Sequence, residues 1–160
     1  MLKRSKTDDE IDLAEVGTHG GAVLVLNDDR DACELIARLV ESAGWTAERG
    51  YELDDAIRLL LAGGHRAVVI DSMSMGITAA FRLLDEVRKA GPDIRNVAVV
   101  ILAATDTNRL FAFQSGVDGY IVRPVHSDEL LDVIRRVMAR STDERVEFRR
   151  QQLMGGATTA

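Results

Sequence analysis

The stretch AVLVLNDDRDACELI, residues 22–36, decides the fold. An unbroken apolar run, Ala22 to Leu26, leads straight into Asn27, Asp28 and Asp29. Apolar residues then recur at helical spacing, Leu35, Ile36, Leu39 and Val40, and the pattern stops at Gly44. A short, wholly apolar run is the mark of a strand covered on both faces. A periodic stretch closed by glycine is a helix. The carboxylates crowded at the strand's exit repel one another and need bulk water or a cation to be tolerated.

Working outward, the same alternation repeats. WTAER (45–49) is a polar strand, which places it at a sheet edge, and LDDAIRLLLAGG (53–64) is a helix stopped by glycines. RAVVID (66–71) is a buried strand that also ends on a carboxylate, Asp71. AAFRLLDEVRKAG (79–91) is a third helix and VAVVILAA (97–104) a further buried strand. NRLFAFQSG (108–116) is a short helix, GYIV (119–122) a strand, and SDELLDVIRRVMAR (127–140) a helix with Ser127 as N-cap. Strands alternating with helices over short connections predict an α/β fold, a doubly wound five-stranded parallel sheet with helices on both faces. In such sheets functional groups collect beyond the carboxyl ends of the strands, where strand order reverses.

Composition sets the outer bounds. The chain has 160 residues and a formal net charge of −6, so it lacks a global basic footprint for nucleic acid. A run of 18 apolar residues is absent, and Met1-Leu2-Lys3-Arg4 leads into acids rather than an apolar signal core, so no membrane role is expected. The lone cysteine, Cys33, cannot form an internal disulfide and reads as a small core residue, which makes a reducing cytoplasm the expected compartment. His19, His65 and His126 lie far apart, lack metal-ligand spacing and read as surface residues. Residues 1–21 read as a flexible lead-in, 22–140 as the domain, and 141–160 as a partly helical tail opened by a Ser141-x-x-Glu144 capping box. That tail is too short for a helix-turn-helix module.

Asp28, Asp71 and Arg123 all fall on the predicted carboxyl rim, with Asp29 beside them. Two converging carboxylates and a further oxygen suit a hard divalent ion such as Mg2+. A fixed cation next to a carboxylate holds an incoming phosphoryl oxygen. Together these are the parts needed to move a phosphoryl group onto an aspartate, Asp71, in an acidic cup faced by one guanidinium.

From residue 22 to 140 the chain resembles a bacterial response-regulator receiver domain, on the segments VLVLNDDRDACELIARLVESAGW, AVVIDSMSMG and SGVDGYIVRPVHSDELLDVIRRVM. The resemblance implies a flavodoxin-like (βα)5 fold with strand order 2-1-3-4-5. It implies Asp71 as phospho-acceptor, Asp28 as direct metal ligand, the Met73 carbonyl as a further ligand and Tyr120 as the aromatic that reports switching. It also implies a histidine kinase or phosphotransfer protein upstream and an unidentified protein downstream. A homodimer through the fourth helix, fifth strand and fifth helix, or through the tail, is a further implication.

Four positions depart from the family pattern. Asn27 replaces the first of two acids, so it reaches a metal only through water and brings no charge. Arg123 stands where the family has lysine and is a larger, planar, always charged clamp. Ala103 falls where the family places a Thr or Ser hydroxyl, with the following loop about two residues short; Thr105 is the nearest replacement. Ser74-Met75 replaces a Met/Leu-Pro pair. The expectation is a receiver, not an enzyme, with weakened or altered Mg2+-dependent phosphorylation. The alternative is a phosphorylation-independent interaction module. A haloacid-dehalogenase-like phosphatase lacks its following Gly-Thr, and a flavin site lacks a phosphate-cradling loop.

Overall fold

The computed structural model describes residues 22–155. The expected flexible lead-in, His19 and the fraying end of the tail lie outside the described residues. In chain order the elements are β1 (Ala22–Leu26), α1 (Arg30–Ser42), β2 (Thr46–Gly50), α2 (Leu53–Ala62), β3 (His65–Asp71), α3 (Ser72–Met75), α4 (Ile77–Lys89), β4 (Ala98–Ala103), α5 (Arg109–Gln114), β5 (Gly119–Val122), α6 (Ser127–Ala139) and α7 (Thr142–Gly155). The five strands form one parallel sheet in the order β2-β1-β3-β4-β5.

The strands are apolar throughout because successive side chains feed two different cores. Leu24, Leu26, Val68, Ile70, Val99 and Ile101 face α2, α4 and α5. Val23, Val25, Val69, Val100 and Leu102 face α1 and α6. Burying a side chain of this size contributes about 1.5–3 kcal/mol each. The polar strand β2 sits at the edge, as its composition predicts, where Arg49 pairs with Glu34 and Glu41 of α1. Those hydrogen bonds to Arg49, and then Arg38, hold the Glu34 carboxyl at about 2.

Cys33 is fully buried, its Sγ 3.4 Å from the Val25 carbonyl, and burial pushes the thiol pKa up. The native protein is therefore expected to resist a thiol-exchange reagent until denaturant is added. Rapid stoichiometric labelling without denaturant would contradict this placement.

Three local expectations are corrected. His65 is not on the surface: its side chain is only 6% exposed, with Nε2 2.6 Å from Glu48 Oε1. His126, with extended backbone, is the N-cap of α6, and Ser127 is the first helical residue. The turn after Asp71 forms the short helix α3, which the sequence pattern did not predict.

The tail makes a full 14-residue helix. The capping box is present: the Ser141 backbone N–H donates to Glu144 Oε1 at 2.7 Å, and the Glu144 N–H donates to Ser141 Oγ at 3.1 Å. Helix α7 packs against α5, with Phe148 edge-on to Phe113 at 6.0 Å between ring centroids. Its deeper anchor is Asp118, just before β5, which is 2% exposed. Arg145 and Arg149 of α7 and Arg88 of α4 all donate to the Asp118 carboxylate. The Val99 backbone N–H donates to it as well.

Candidate functional site

Register brings distant residues to one rim. Leu26 pairs with Ile70, and Asp71 pairs with Leu102, so Asn27 leaves β1 level with Asp71. Ala103 pairs with Val122, and the Arg123 backbone N–H donates to the Ala103 carbonyl at 2.9 Å. β5 lies two strands from β3, about 10 Å. A long side chain at Arg123 is what spans that gap, across a strand end that carries only the methyl of Ala103.

At the centre, Asp71 is 2% exposed. Its Oδ2 accepts from Asn27 Nδ2 at 2.8 Å and from Arg123 Nη2. Its Oδ1 accepts from the Met73 backbone N–H at 3.0 Å, which caps α3. The next residue, Ser72, is also buried and donates its hydroxyl to the Leu102 carbonyl at 2.8 Å, tying the exit of β3 to β4. The Arg123 side chain is 32% exposed and covers the carboxylate, yet its Nε is buried without a hydrogen-bond partner.

The crowded acids at the exit of β1 have separate duties. Asp29 is the N-cap of α1: its Oδ1 accepts from the Asp31 and Ala32 backbone N–H groups at 3.1 and 3.2 Å. The Asp29 N–H in turn donates to Asn27 Oδ1 at 2.8 Å. Asp28 is exposed. The rim is therefore not the open acidic cup expected from sequence. Asp71 meets Asn27 and Arg123 beneath a guanidinium cover, while Asp29 turns to the helix.

The expected switch positions are in place with different partners. Ala103 ends β4 and is buried, and a pocket of about 160 Å³ lies among Ser72, Ala103, Thr105, Asn108 and Tyr120. Tyr120 is buried, which raises its pKa, and its hydroxyl donates to the Thr105 carbonyl at 2.9 Å. The Thr105 hydroxyl itself is exposed and bonds to Thr107 Oγ1 at 3.1 Å. It belongs to the loop's own turn and does not replace the hydroxyl missing at Ala103.

As a magnesium site the donor set fits poorly. A hard cation needs oxygen acceptors. Here Asn27 presents its NH2 to Asp71 and spends its oxygen on the Asp29 N–H. Among the described residues, no group of three or more His, Cys, Asp or Glu side chains is placed to hold a metal ion. Met73, whose carbonyl was an expected ligand, donates its N–H to Asp71, and Asp28, the expected direct ligand, stands exposed at the rim.

Sequence reasoning missed Ser72, which sits inside AVVIDSMSMG and carries no distinguishing signal. It also missed the Asp118 cluster. The spacing of Arg145 and Arg149, one helical turn apart on the face of Phe148, shows that the two share a face but not that they meet Asp118.

Residues 23–135 match the family model described as the response regulator receiver domain. The transcriptional regulatory protein DltR of Streptococcus agalactiae is 28% identical over 114 residues, covering 71% of this chain and 50% of that protein. The chain thus spans about half the length of the curated relatives it matches. The chemotaxis protein CheY4 of Vibrio cholerae superposes with a TM-score of 0.66 at 18% identity, covering 74% of this chain and 98% of that one. The receiver domain of a sensor histidine kinase from Pseudomonas aeruginosa, with magnesium coordinated in its active-site cleft, gives 0.65 at 19% identity over 76% of this chain and 99% of that one. At these identities the two structures speak for the fold.

Proposed function

Because the chain belongs to the response-regulator receiver-domain family, we propose that it serves phosphorelay signalling by accepting a phosphoryl group on Asp71. The donor is a histidine kinase or phosphotransfer protein, and the output is a contact with a downstream protein. The observation that supports this most is the seating of Asp71: a buried carboxylate at the carboxyl end of the central strand, met by the Arg123 guanidinium from just beyond β5.

In transfer, an Asp71 carboxylate oxygen forms the new P–O bond as the donor's P–N bond breaks, and the departing imidazole takes up a proton. Arg123 stays on the oxygens that gain charge. Asn27 and the Met73 N–H orient the carboxylate. The same three N–H donors occupy carboxylate lone pairs that would attack phosphorus or bind a cation, so transfer is attenuated and Mg2+ affinity is weak. Readout runs through β5, which carries Tyr120 and leads into Arg123, toward the surface of α5, β5 and α6, with α7 lying against α5. Ala103 offers no hydroxyl to link the phosphoryl group to Tyr120.

The test is intact-mass analysis after incubation with a small phosphoryl donor or a histidine kinase. One added phosphoryl group, absent in Asp71→Asn, is expected. No adduct from any donor contradicts the proposal. Partner binding unchanged by Asp71→Asn would instead favour the phosphorylation-independent module, a reading motivated by the resting Asp71–Arg123 pair.

A further inference from the structure

The buried polar atoms around Asp71 point toward one kind of ligand. Among the described residues, the groups that donate to the carboxylate are all nitrogen: Asn27 Nδ2, Arg123 Nη2 and the Met73 N–H. The nearest amide oxygen, Asn27 Oδ1, is held by the Asp29 N–H. One further donor, Arg123 Nε, is buried with no acceptor. Both Asp71 oxygens and Asn27 Oδ1 are engaged by donors, Asp28 is exposed at the rim, and Arg123 Nε is unsatisfied. The buried part of the site therefore calls for more oxygen from a ligand rather than for a metal ion that would compete for the oxygens present. A cation at Asp71 would also have to displace a guanidinium that cannot lose its charge.

We infer that Arg123 takes the place of the divalent cation in this site. The guanidinium neutralises Asp71 at rest, and its unpaired Nε is the added donor for an oxyanion carried there. This rests on the reading of Asp71 as phosphoryl acceptor and removes the metal from it. Asn27 completes the arrangement: as an amide it can give Asp71 a hydrogen bond, which an aspartate at this position could not do without first binding a proton.

Mn2+ is the probe, with free ion followed by electron paramagnetic resonance. Wild-type protein is expected to bind no more Mn2+ than Asp71→Asn does. The double variant Asn27→Asp/Arg123→Lys is expected to gain a site about tenfold tighter or more, lost again when Asp71→Asn is added. A saturable wild-type Mn2+ site that disappears in Asp71→Asn overturns the inference, and this arm does not depend on the double variant folding. A folded double variant that binds no tighter than wild type also overturns it. Phosphoryl labelling is read separately, by mass. A protein labelled only when a divalent ion is present refutes the metal replacement and leaves Asp71 as acceptor, whereas absence of any label refutes the acceptor itself.

Discussion

Asp118→Ala is expected to destabilise the protein by roughly 3–5 kcal/mol, the cost of removing one partner from a buried ion pair. The carboxylate is the shared acceptor for Arg88, Arg145 and Arg149, and its side chain is 1% exposed. Arg88 is buried deeply enough that its pKa falls to about 10, burial outweighing the attraction of Asp118. Without that attraction, three guanidiniums face one another, and their remaining acceptors among the described residues are backbone carbonyls, those of Arg95, Asn96, Val97 and Gly116. For a chain of 160 residues the fall in Tm is roughly 10 °C. Helix α7 also loses its anchor, so limited proteolysis should cut within 142–155 before the rest of the domain. Asp118→Asn keeps an acceptor and should lose less. A calorimetric loss below about 1 kcal/mol for Asp118→Ala would show that the network is not holding α7.

Gly119→Ala is expected to cost about 2–3 kcal/mol through overpacking. A Cβ at Gly119 meets Val133 Cγ1 of α6 at 2.8 Å and Val100 Cγ2 of β4 at 3.3 Å. Val100 is fixed in the sheet core, so the half-buried Val133 of α6, packed against that core, must give way. Gly119 begins the strand that carries Tyr120 and ends immediately before Arg123. The strain therefore reaches the site, and labelling of Asp71 should fall with stability. Val133→Ala in the same chain removes the closer methyl and should recover part of the loss. A Gly119→Ala protein as stable as wild type in urea titration would mean that α6 sits farther from β5.

Much of this was legible in the sequence because it depends on local pattern. Apolar runs ending at Leu26, Asp71 and Ala103 mark strands covered on both faces, and the parallel order then places their exits on one rim. That logic located Asp71 and Arg123 together. It did not reveal what each polar group does once there. Asp29 and Asp28 look alike in a string of letters, but it is Asp29, extended at φ −87° and ψ 109°, that caps α1. Asn27 reads as a lost metal ligand, and its donation to Asp71 depends on amide orientation set by the Asp29 N–H. His65 and Asp118 were hidden for another reason. Their partners lie 17 residues away, at Glu48, and 27 to 31 residues away, at Arg145 and Arg149. Pairing at that range has no periodic signature. The arginines of RVEFRRQQ, residues 145–152, carry no local sign of the buried carboxylate that the fold supplies to Arg145 and Arg149.

The pairing of Asp71 with Arg123 underlies both the proposed phosphoryl chemistry and the replacement of the metal. A double-mutant cycle with Asp71→Asn, Arg123→Gln and the combined variant, read by urea unfolding at neutral pH, measures that pairing directly. The carboxylate is buried while the guanidinium is a third exposed, which places the coupling below that of a fully enclosed pair. The expected coupling is about 1–2 kcal/mol in favour of the native pair. Additivity within about 0.3 kcal/mol would show that the two side chains do not meet in solution and would contradict a site neutralised by Arg123.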